Sequence, residues 1–327
     1  HTATEDGGEE PPPPDPGYAD YDPDPGGDGD LPELAEDILS SDKLLVLELG
    51  AGFGMLSASF AGTGLTAVPI YGPRNQHVKT TAVLTKDLTE EGIQLLLLDL
   101  IRSGQVAPVH LSAPCDTATL AGSLASSRGK RLSWKQPQRS RPLRDEGHPL
   151  GKPERSAEYP EGLTLEKNKV ENENRINRFY EAVLTTCDEM KVSWTLEAEA
   201  HSWFWLLDPF RTLSEHEDRQ AATARLCGHG GPAPTAVKLV GSLEKTATVT
   251  LESLTEGCPT GHHHRKASKA QAVEYPRGFA DALRRLIVDN LVAAEKIPAD
   301  SGGALFRRYS RSRVVTAPPE QIPEPVE

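Results

Sequence analysis

The sequence predicts an α/β protein with a doubly wound, mostly parallel sheet. Three observations predict it: an apolar run over 43–49 that ends in a glycine turn, helical periodicity over 90–104, and an apolar run over 106–115. Such runs suit strands buried on both faces, as in parallel sheets covered by helices. Ligands of these sheets bind outside the carboxyl ends of the strands, which fall here at the glycine turn and at Ala113–Cys115.

The remaining elements follow the same alternation of strand and helix. Small residues after the glycine turn predict a short helix, and 65–72 and 81–88 predict the next two strands. Apolar residues at helical spacing from Ile93 to Ile101, followed by Gly104, predict a helix that ends there. The later pattern predicts a helix over 170–187, strands over 191–198, 235–241 and 247–253, and a terminal helix that begins near Pro276.

The net charge of −13 arises in the N-terminal tail. Thirteen of the 48 acidic residues lie between Glu5 and Asp37, in a stretch without Lys or Arg, so the other 35 balance the 35 bases. The charge of the whole chain therefore excludes no polyanionic partner. Residues 1–40 are acidic and rich in Pro and Gly, and 297–327 are basic and then rich in Pro and Glu. Both segments are predicted to be disordered tails.

Between the tails, residues 41–225 are predicted to form the α/β domain. Residues 226–296 would supply its last strands and terminal helix, or include a small Cys/His subregion. No apolar run approaches the roughly 18 residues that span a bilayer, so no membrane segment is predicted. Four widely spaced cysteines do not resemble a disulfide framework, which favours an intracellular compartment, the nucleus included. Because the first residue is His1 rather than Met, we expect a fragment or a trimmed chain.

The glycine turn reads Glu48-Leu-Gly50-Ala-Gly52-Phe-Gly54. Glycines let the backbone turn tightly against a ligand, and the following helix N-terminus presents free N–H groups. Dinucleotide-binding oxidoreductases use Gly-x-Gly-x-x-Gly instead, so that class is disfavoured. The turn resembles the first motif of class I S-adenosylmethionine-dependent methyltransferases, a Rossmann-like fold. The resemblance implies that Glu48 and the three glycines bind S-adenosylmethionine; the alternative is a turn that binds nothing.

Two further cofactor positions come from the same resemblance. In the family an acid after the second strand holds the ribose hydroxyls, but here the matching stretch contains Asn75 and no acid. Asn75 or backbone groups would have to replace it. Asp87 follows the third predicted strand, where the family holds the adenine amino group. A lone Asp at that place also suits a helix cap.

Cys115 follows Pro114 at the end of the fourth predicted strand. This Pro-Cys resembles cytosine-5 DNA methyltransferases, in which the thiolate adds to carbon 6 of cytosine. Glu197, at the end of the next strand, matches the glutamate that steadies the ring nitrogen in that family, although Ala198 and Glu199 replace the residues that follow it. A nucleophile and an acid at adjacent strand ends suit chemistry on one base.

A wider resemblance, over residues 43–290, is to an uncharacterised methyltransferase-like family of protist genomes and mobile elements. It rests on Pro114-Cys115, Arg141-Pro142-Leu143-Arg144, His148-Pro149-Leu150-Gly151, Ser202-Trp203 after Glu197, and Tyr275-Pro276. Asp116 replaces a family glycine, and its carboxylate disfavours a thiolate at Cys115. The resemblance implies methyl transfer to nucleic acid of the cytosine-5 type or a degenerate derivative of it. The alternative is an inactive nucleic-acid or protein interaction module, with Cys115 an inert thiol.

Residues 126–155 carry nine bases and three acids around Trp134. Beside the predicted site, this basic loop suits a phosphate backbone. The residues predicted to contact nucleic acid are Arg128, Lys130, Arg131, Arg141 and Arg144; a solvated loop without a ligand is the alternative.

Cys227, Cys258, His262 and His264 are ligand types of a tetrahedral zinc site. Their spacing matches no tight zinc motif, so a surface histidine run is the alternative.

Overall fold

The computed structural model describes residues 43–71, 84–114, 117–118, 143–152, 164–244, 250–255, 257–258 and 275–298. Within them the strands are β1 (Leu45–Leu49), β2 (Thr66–Tyr71), β3 (Leu84–Thr85), β4 (Val106–Ser112), β5 (Ser193–Glu199), β6 (Gln220–Arg225) and β7 (Ala236–Gly241). The helices are α1 (Met55–Ser59), α2 (Glu91–Arg102), α3 (Thr164–Glu189), α4 (Asp208–Glu215) and α5 (Arg277–Ala293). None of the described helices is both long and apolar enough to cross a membrane.

The seven strands form a sheet in the order β3-β2-β1-β4-β5-β7-β6. Every neighbouring pair is parallel except those of β7, which is antiparallel to β5 and β6. The doubly wound, mostly parallel sheet predicted from the sequence is therefore confirmed. The chain reverses its course across the sheet between the adjacent strands β1 and β4. Their carboxyl ends mark the switch point, where such sheets form a ligand crevice.

The helices cover the sheet with apolar side chains. Helices α1 and α5 pack against each other, and an apolar cluster that includes Phe60, Leu239, Phe279 and Leu283 lies beneath them. Helices α2 and α3 also pack together. Of the five apolar side chains at helical spacing in α2, four are buried, Ile93, Leu97, Leu100 and Ile101, and Leu96 is half-buried. Every residue of β1 is buried, Glu48 included, so both faces of this strand are covered.

Three elements differ from the sequence prediction. The third strand, predicted over 81–88, is only Leu84–Thr85 within the described residues. Strand β6 was not predicted, because only the small residues Ala222 and Ala224 face inward on this edge strand. A strand over 247–253 is wrong in its described part, where Leu251–Leu254 form a 3-10 helix. The two leucines at its ends lie three residues apart and are both buried.

Candidate active site

The glycine turn joins β1 to α1 in left-handed backbone conformations. The φ angles are 77° at Gly50, 52° at Gly52 and 68° at Gly54, a region that side-chain-bearing residues rarely adopt. A Cβ atom at Gly50 would lie 2.4 Å from the carbonyl oxygen of Ser112, so the turn passes tightly over the end of β4. A Cβ atom at Gly52 would meet nothing within 4 Å. The turn thus contacts β4 at its first glycine and leaves open space at its second, which fits a ligand laid against the backbone.

Glu48 lies inside the protein, below this turn. It is 1% exposed, and its Oε2 atom accepts hydrogen bonds from the backbone N–H and the hydroxyl of Ser57 in α1. Burial raises the pKa of Glu48 to about 7, against the lowering effect of the Ser57 hydrogen bonds. The Glu48 side chain thus ties α1 to β1, and its contact with the cofactor stays a prediction.

A patch of polar side chains lies on one face of β4 and β5 at their carboxyl ends. The strand register pairs His110 with Thr195 and Ser112 with Glu197, so all four side chains lie on the same face. His110 is fully buried, and its Nδ1 lies 2.8 Å from the Thr195 hydroxyl. Burial lowers the pKa of His110 to about 3, so its ring is neutral at physiological pH.

Glu197 receives two hydrogen bonds at one carboxyl oxygen. The hydroxyls of Ser112 and Tyr275 both donate to Oε2, each over 2.8 Å. Among the described residues, Oε1 has no hydrogen-bond partner. Burial raises the pKa of Glu197, the two hydrogen bonds lower it, and the nearby Glu199 raises it further. This environment favours a carboxyl group that holds a proton and can donate it.

The loop that follows β4 is fixed on both sides of Cys115. Before it, the N–H of Ala113 donates to the carbonyl oxygen of Glu197 over 2.8 Å. After it, the N–H and hydroxyl of Thr117 both donate to the carboxylate of Glu173 on α3. The Ala118 carbonyl accepts hydrogen bonds from the Ser202 hydroxyl and the Trp203 N–H. The ends of this loop are therefore held to β5, α3 and the segment after β5.

Arg144 is a structural residue. It is 1% exposed, and its guanidinium donates to the hydroxyl of Thr117, the carbonyl oxygen of Pro149 and the side chain of Asn174. It also lies 3.4 Å from Oε2 of Glu173, a buried ion pair. The Arg144 guanidinium is therefore engaged by partners within the protein, and its contact with nucleic acid stays a prediction.

Asp87 lies just beyond β3, on the same edge of the sheet as the glycine turn. Its Oδ1 atom accepts hydrogen bonds from the N–H and the hydroxyl of Thr89, over 2.9 and 2.7 Å. The Asp87 carboxylate thus closes a local turn before α2. In the described part of the chain no hydrogen bond is made by its Oδ2 atom.

The structure gives no support for zinc. Cys227 is buried, and burial together with a hydrogen bond to Cys258 raises the pKa of its thiol. The described residues contain no group of three His, Cys, Asp or Glu side chains arranged to hold a metal ion.

Several predicted site residues lie outside the described residues. These are Cys115, Asn75, Arg128, Lys130, Arg131, Arg141, His262 and His264. Three residues of the polar patch, His110, Ser112 and Thr195, were not predicted as site residues, and neither was Tyr275, whose hydroxyl bonds to the patch. The sequence carries a signal for His110 and for Tyr275. A histidine within the apolar run of β4 is the sequence signal that identifies the first, and the Tyr-Pro pair ahead of α5 identifies the second.

No family model and no curated protein matches the chain. Solved structures similar to it include a DNA modification methyltransferase encoded within a prophage of E. coli (12% identity, TM-score 0.33, 63% of this chain and 50% of that chain). Another is the Entamoeba histolytica methyltransferase EhMeth (11% identity, TM-score 0.33, 66% of this chain and 57% of that chain). A third is the S. pombe Dnmt2 methyltransferase (9% identity, TM-score 0.32, 69% of this chain and 57% of that chain). The chain thus spans 50–57% of the length of each. The similarity to these methyltransferases is distant.

Proposed function

We propose that this chain is an S-adenosylmethionine-dependent methyltransferase that acts on nucleic acid by the cytosine-5 route. The observation that carries the proposal is the convergence of three features on the carboxyl ends of adjacent strands. The glycine turn follows β1, Cys115 follows β4 in sequence, and Glu197 lies in β5, two residues before its carboxyl end. These strands flank the switch point, where doubly wound sheets bind their ligands.

The residues around the glycine turn fit the cofactor. Open space in front of Gly52 admits the methionine portion against the backbone, and Oδ2 of Asp87 is free to accept a hydrogen bond from the adenine amino group. Asn75 would serve the ribose. S-adenosylmethionine, when bound, supplies a methyl group on a sulfonium centre.

Cys115 would be the nucleophile. In sequence it comes two residues after Ala113, whose backbone N–H donates to the backbone carbonyl oxygen of Glu197. Its thiolate forms a bond to carbon 6 of the base, and the electron pair of the carbon 5–carbon 6 double bond makes carbon 5 nucleophilic. A protonated Glu197 donates to the ring nitrogen and offsets the charge that develops there. Once carbon 5 carried the methyl group that the cofactor would supply, loss of its proton to a base would re-form the carbon 5–carbon 6 double bond and break the bond to the Cys115 sulfur, which would leave as the thiolate.

A nucleic-acid or protein interaction module on the same fold is the second candidate. It is favoured by the acids near the proposed chemistry: Asp116 follows Cys115, and Glu199, which is partly buried, raises the pKa of Glu197. Extra negative charge there disfavours a thiolate and a polyanionic substrate. In this case Arg128, Lys130, Arg131 and Arg141 would bind the partner without turnover.

Covalent trapping separates the two candidates. The full chain is incubated with an oligonucleotide that contains 5-fluorocytosine, with and without S-adenosylmethionine, and denatured. An adduct that needs the cofactor and is lost in Cys115→Ser supports methyl transfer, since fluorine blocks release of the thiolate. Calorimetry with S-adenosylmethionine measures cofactor binding separately. Neither adduct nor heat of binding would leave the interaction module as the function.

A further inference from the structure

Tyr275 connects the polar patch into a chain of hydrogen bonds. Its hydroxyl lies 2.8 Å from Oε2 of Glu197, 2.7 Å from the hydroxyl of Ser112 and 3.0 Å from Nε2 of His110. The Tyr275 ring packs edge-on against those of His110 and Phe279, which fixes it from the side of α5. The last link runs from Nδ1 of His110 to the Thr195 hydroxyl. Groups far apart in sequence therefore share one hydrogen-bonded path that ends at the Glu197 carboxyl.

The hydrogens on this path can be counted. The Tyr275 hydroxyl has one hydrogen, and the neutral His110 ring has one. If the Tyr275 hydrogen points to Glu197 or Ser112, it is not available to Nε2 of His110. His110 must then carry its own hydrogen on Nε2 and accept from Thr195 at Nδ1. If Tyr275 instead donated to His110, its lone pairs would face Oε2 of Glu197, which is tolerable only with a proton on Oε2.

We propose that His110 and Tyr275 are positioning residues that keep Oε2 of Glu197 an acceptor, so that the carboxyl proton is held on Oε1. His110 donates from Nε2 to Tyr275, and Tyr275 donates toward Glu197. The proton on Oε1 then lies on the atom that has no hydrogen-bond partner among the described residues, ready to be donated to a ring nitrogen. This inference deepens the proposed function and rests on it for the identity of the acceptor, but the proton arrangement itself is a property of the protein alone.

Few other titratable groups face this path. Glu199 lies on the same strand as Glu197, and its charge raises the pKa of the Glu197 carboxyl. Tyr180 on α3 faces Glu197, and Glu48 on β1 faces Tyr275; burial raises the pKa of both tyrosines. No cation among the described residues faces the carboxyl closely enough to affect its pKa. The hydroxyls of Ser112 and Tyr275 are therefore the main groups that decide which oxygen of Glu197 carries the proton.

The ring-nitrogen NMR resonances of His110 test the proton arrangement in the full chain without any substrate. The His110 signals are assigned by their loss in His110→Asn. We expect the tautomer with hydrogen on Nε2 at neutral pH, and a mixture of tautomers in Tyr275→Phe, because Nε2 loses its acceptor. Tyr180→Phe removes a neighbouring hydroxyl that donates to the Ser112 backbone carbonyl oxygen and has no hydrogen bond to His110 or Tyr275 among the described residues, so it is expected to leave the tautomer unchanged. A wild-type ring with its hydrogen on Nδ1 overturns the proposal.

The pH profile of methyl transfer tests the consequence for Glu197. The reaction requires the carboxyl proton, so its rate declines as pH rises through the pKa of Glu197. Tyr275→Phe removes a hydrogen bond that lowers this pKa, so the decline moves to higher pH. We also expect kcat to fall about tenfold with KM within about twofold. An unchanged profile refutes the role of Tyr275. A wild type without methyl transfer refutes the proposed function, while the His110 tautomer still decides the positioning inference.

Discussion

The carboxyl ends of β1 and β5 each hold a buried glutamate whose pKa is raised by burial, but the two are held in different ways. Glu48 on β1 is bonded to Ser57, nine residues further along the chain. Glu197 on β5 is bonded to Ser112 and Tyr275, which are 85 and 78 residues away. The first acid belongs to a locally folded turn, and the second to a site assembled from three distant segments.

This difference separates a structural acid from a candidate for chemistry. The Glu48 carboxyl is occupied from its own turn and is 1% exposed, so it serves the junction of β1 and α1. Glu197 keeps one oxygen without a partner among the described residues, and long-range contacts aim that oxygen. A buried carboxyl whose orientation is set by separate elements costs folding free energy, and active sites commonly contain such groups.

The largest effect on stability is expected at Arg144, whose buried contacts also join segments that are far apart in sequence. Arg144→Met removes the guanidinium that joins Thr117 to Glu173, and leaves the Glu173 carboxylate buried without this cation. We expect the free energy of unfolding, measured by urea denaturation at neutral pH, to fall by about 3–5 kcal/mol. Arg102→Met breaks the exposed pair with Asp99 and should cost less than about 1 kcal/mol. Equal losses of unfolding free energy in the two variants would show that the contacts of Arg144 with Thr117 and Glu173 do not stabilise the fold.

The glycine turn should be sensitive at one position and tolerant at its neighbour. Gly50→Ala places a Cβ atom 2.4 Å from the Ser112 carbonyl oxygen at φ 77°, so strain and overlap together should cost about 3 kcal/mol or more. Gly52→Ala meets no atom within 4 Å and should cost about 1 kcal/mol from its backbone conformation alone. Thermal unfolding compares them. If S-adenosylmethionine lies against this turn, calorimetry will show weakened binding in the stable Gly52→Ala variant as well.

The buried acid at β1 should give stability a defined pH dependence. The pKa of Glu48 is about 7 in the folded protein and 4.5 ordinarily. Its stabilising contribution is therefore complete below pH 4.5 and is lost as pH rises through 7, a change of about 3 kcal/mol. Glu48→Gln keeps an acceptor for Ser57 and removes the titration. We expect the variant's free energy of unfolding, relative to wild type, to rise over this range.

The control for this titration is Glu91→Gln, an exposed residue of α2. It should leave the pH dependence as it is in wild type. His110 acts in the opposite direction, because its pKa of about 3 lets only the unfolded chain bind a proton below its ordinary pKa of 6.5. Its effect cancels in the comparison of variant with wild type. If the free energies of unfolding of Glu48→Gln and wild type change in parallel with pH, the Glu48 carboxyl is exposed to solvent and the prediction is wrong.

The sheet was predictable because its strands and helices have strong periodicity. Runs such as 43–49 and the spacing of α2 arise from burial on both faces or on one stripe, which the sequence records directly. Strand β6 was not predicted because alanines on an edge strand bury little apolar surface. The 3-10 helix that begins at Leu251 was predicted as a strand because so short a segment with two buried leucines fits the periodicity of a strand or of a helix. Local pattern thus predicts elements in proportion to the apolar surface that they bury.

The site was predictable only where a motif marks it. Gly50 and Glu197 lie at the strand ends where the resemblance located them, but a motif does not say which way a side chain turns. The direction of Glu48 depends on Ser57, and Arg144 is drawn inward by Glu173, a residue of no recognised motif. Contacts between residues far apart in sequence leave no local signature, so the roles of these residues emerge only from the fold.

The smallest expected effect on stability concerns Asp87. Like Glu48, it bonds to a residue close in sequence, and like Glu197 it has one oxygen without a partner among the described residues. Asp87→Asn keeps Oδ1 as the acceptor for Thr89 and replaces Oδ2 by an amide donor. Stability should change by less than about 1 kcal/mol, since the turn survives. Calorimetry should show S-adenosylmethionine binding about tenfold weaker, because a donor then faces the adenine amino group. Asp87→Ala, which loses both oxygens, should lower stability as well as affinity. Unchanged affinity in Asp87→Asn would mean that Asp87 stabilises a local turn, as Glu48 does, and does not contact the cofactor.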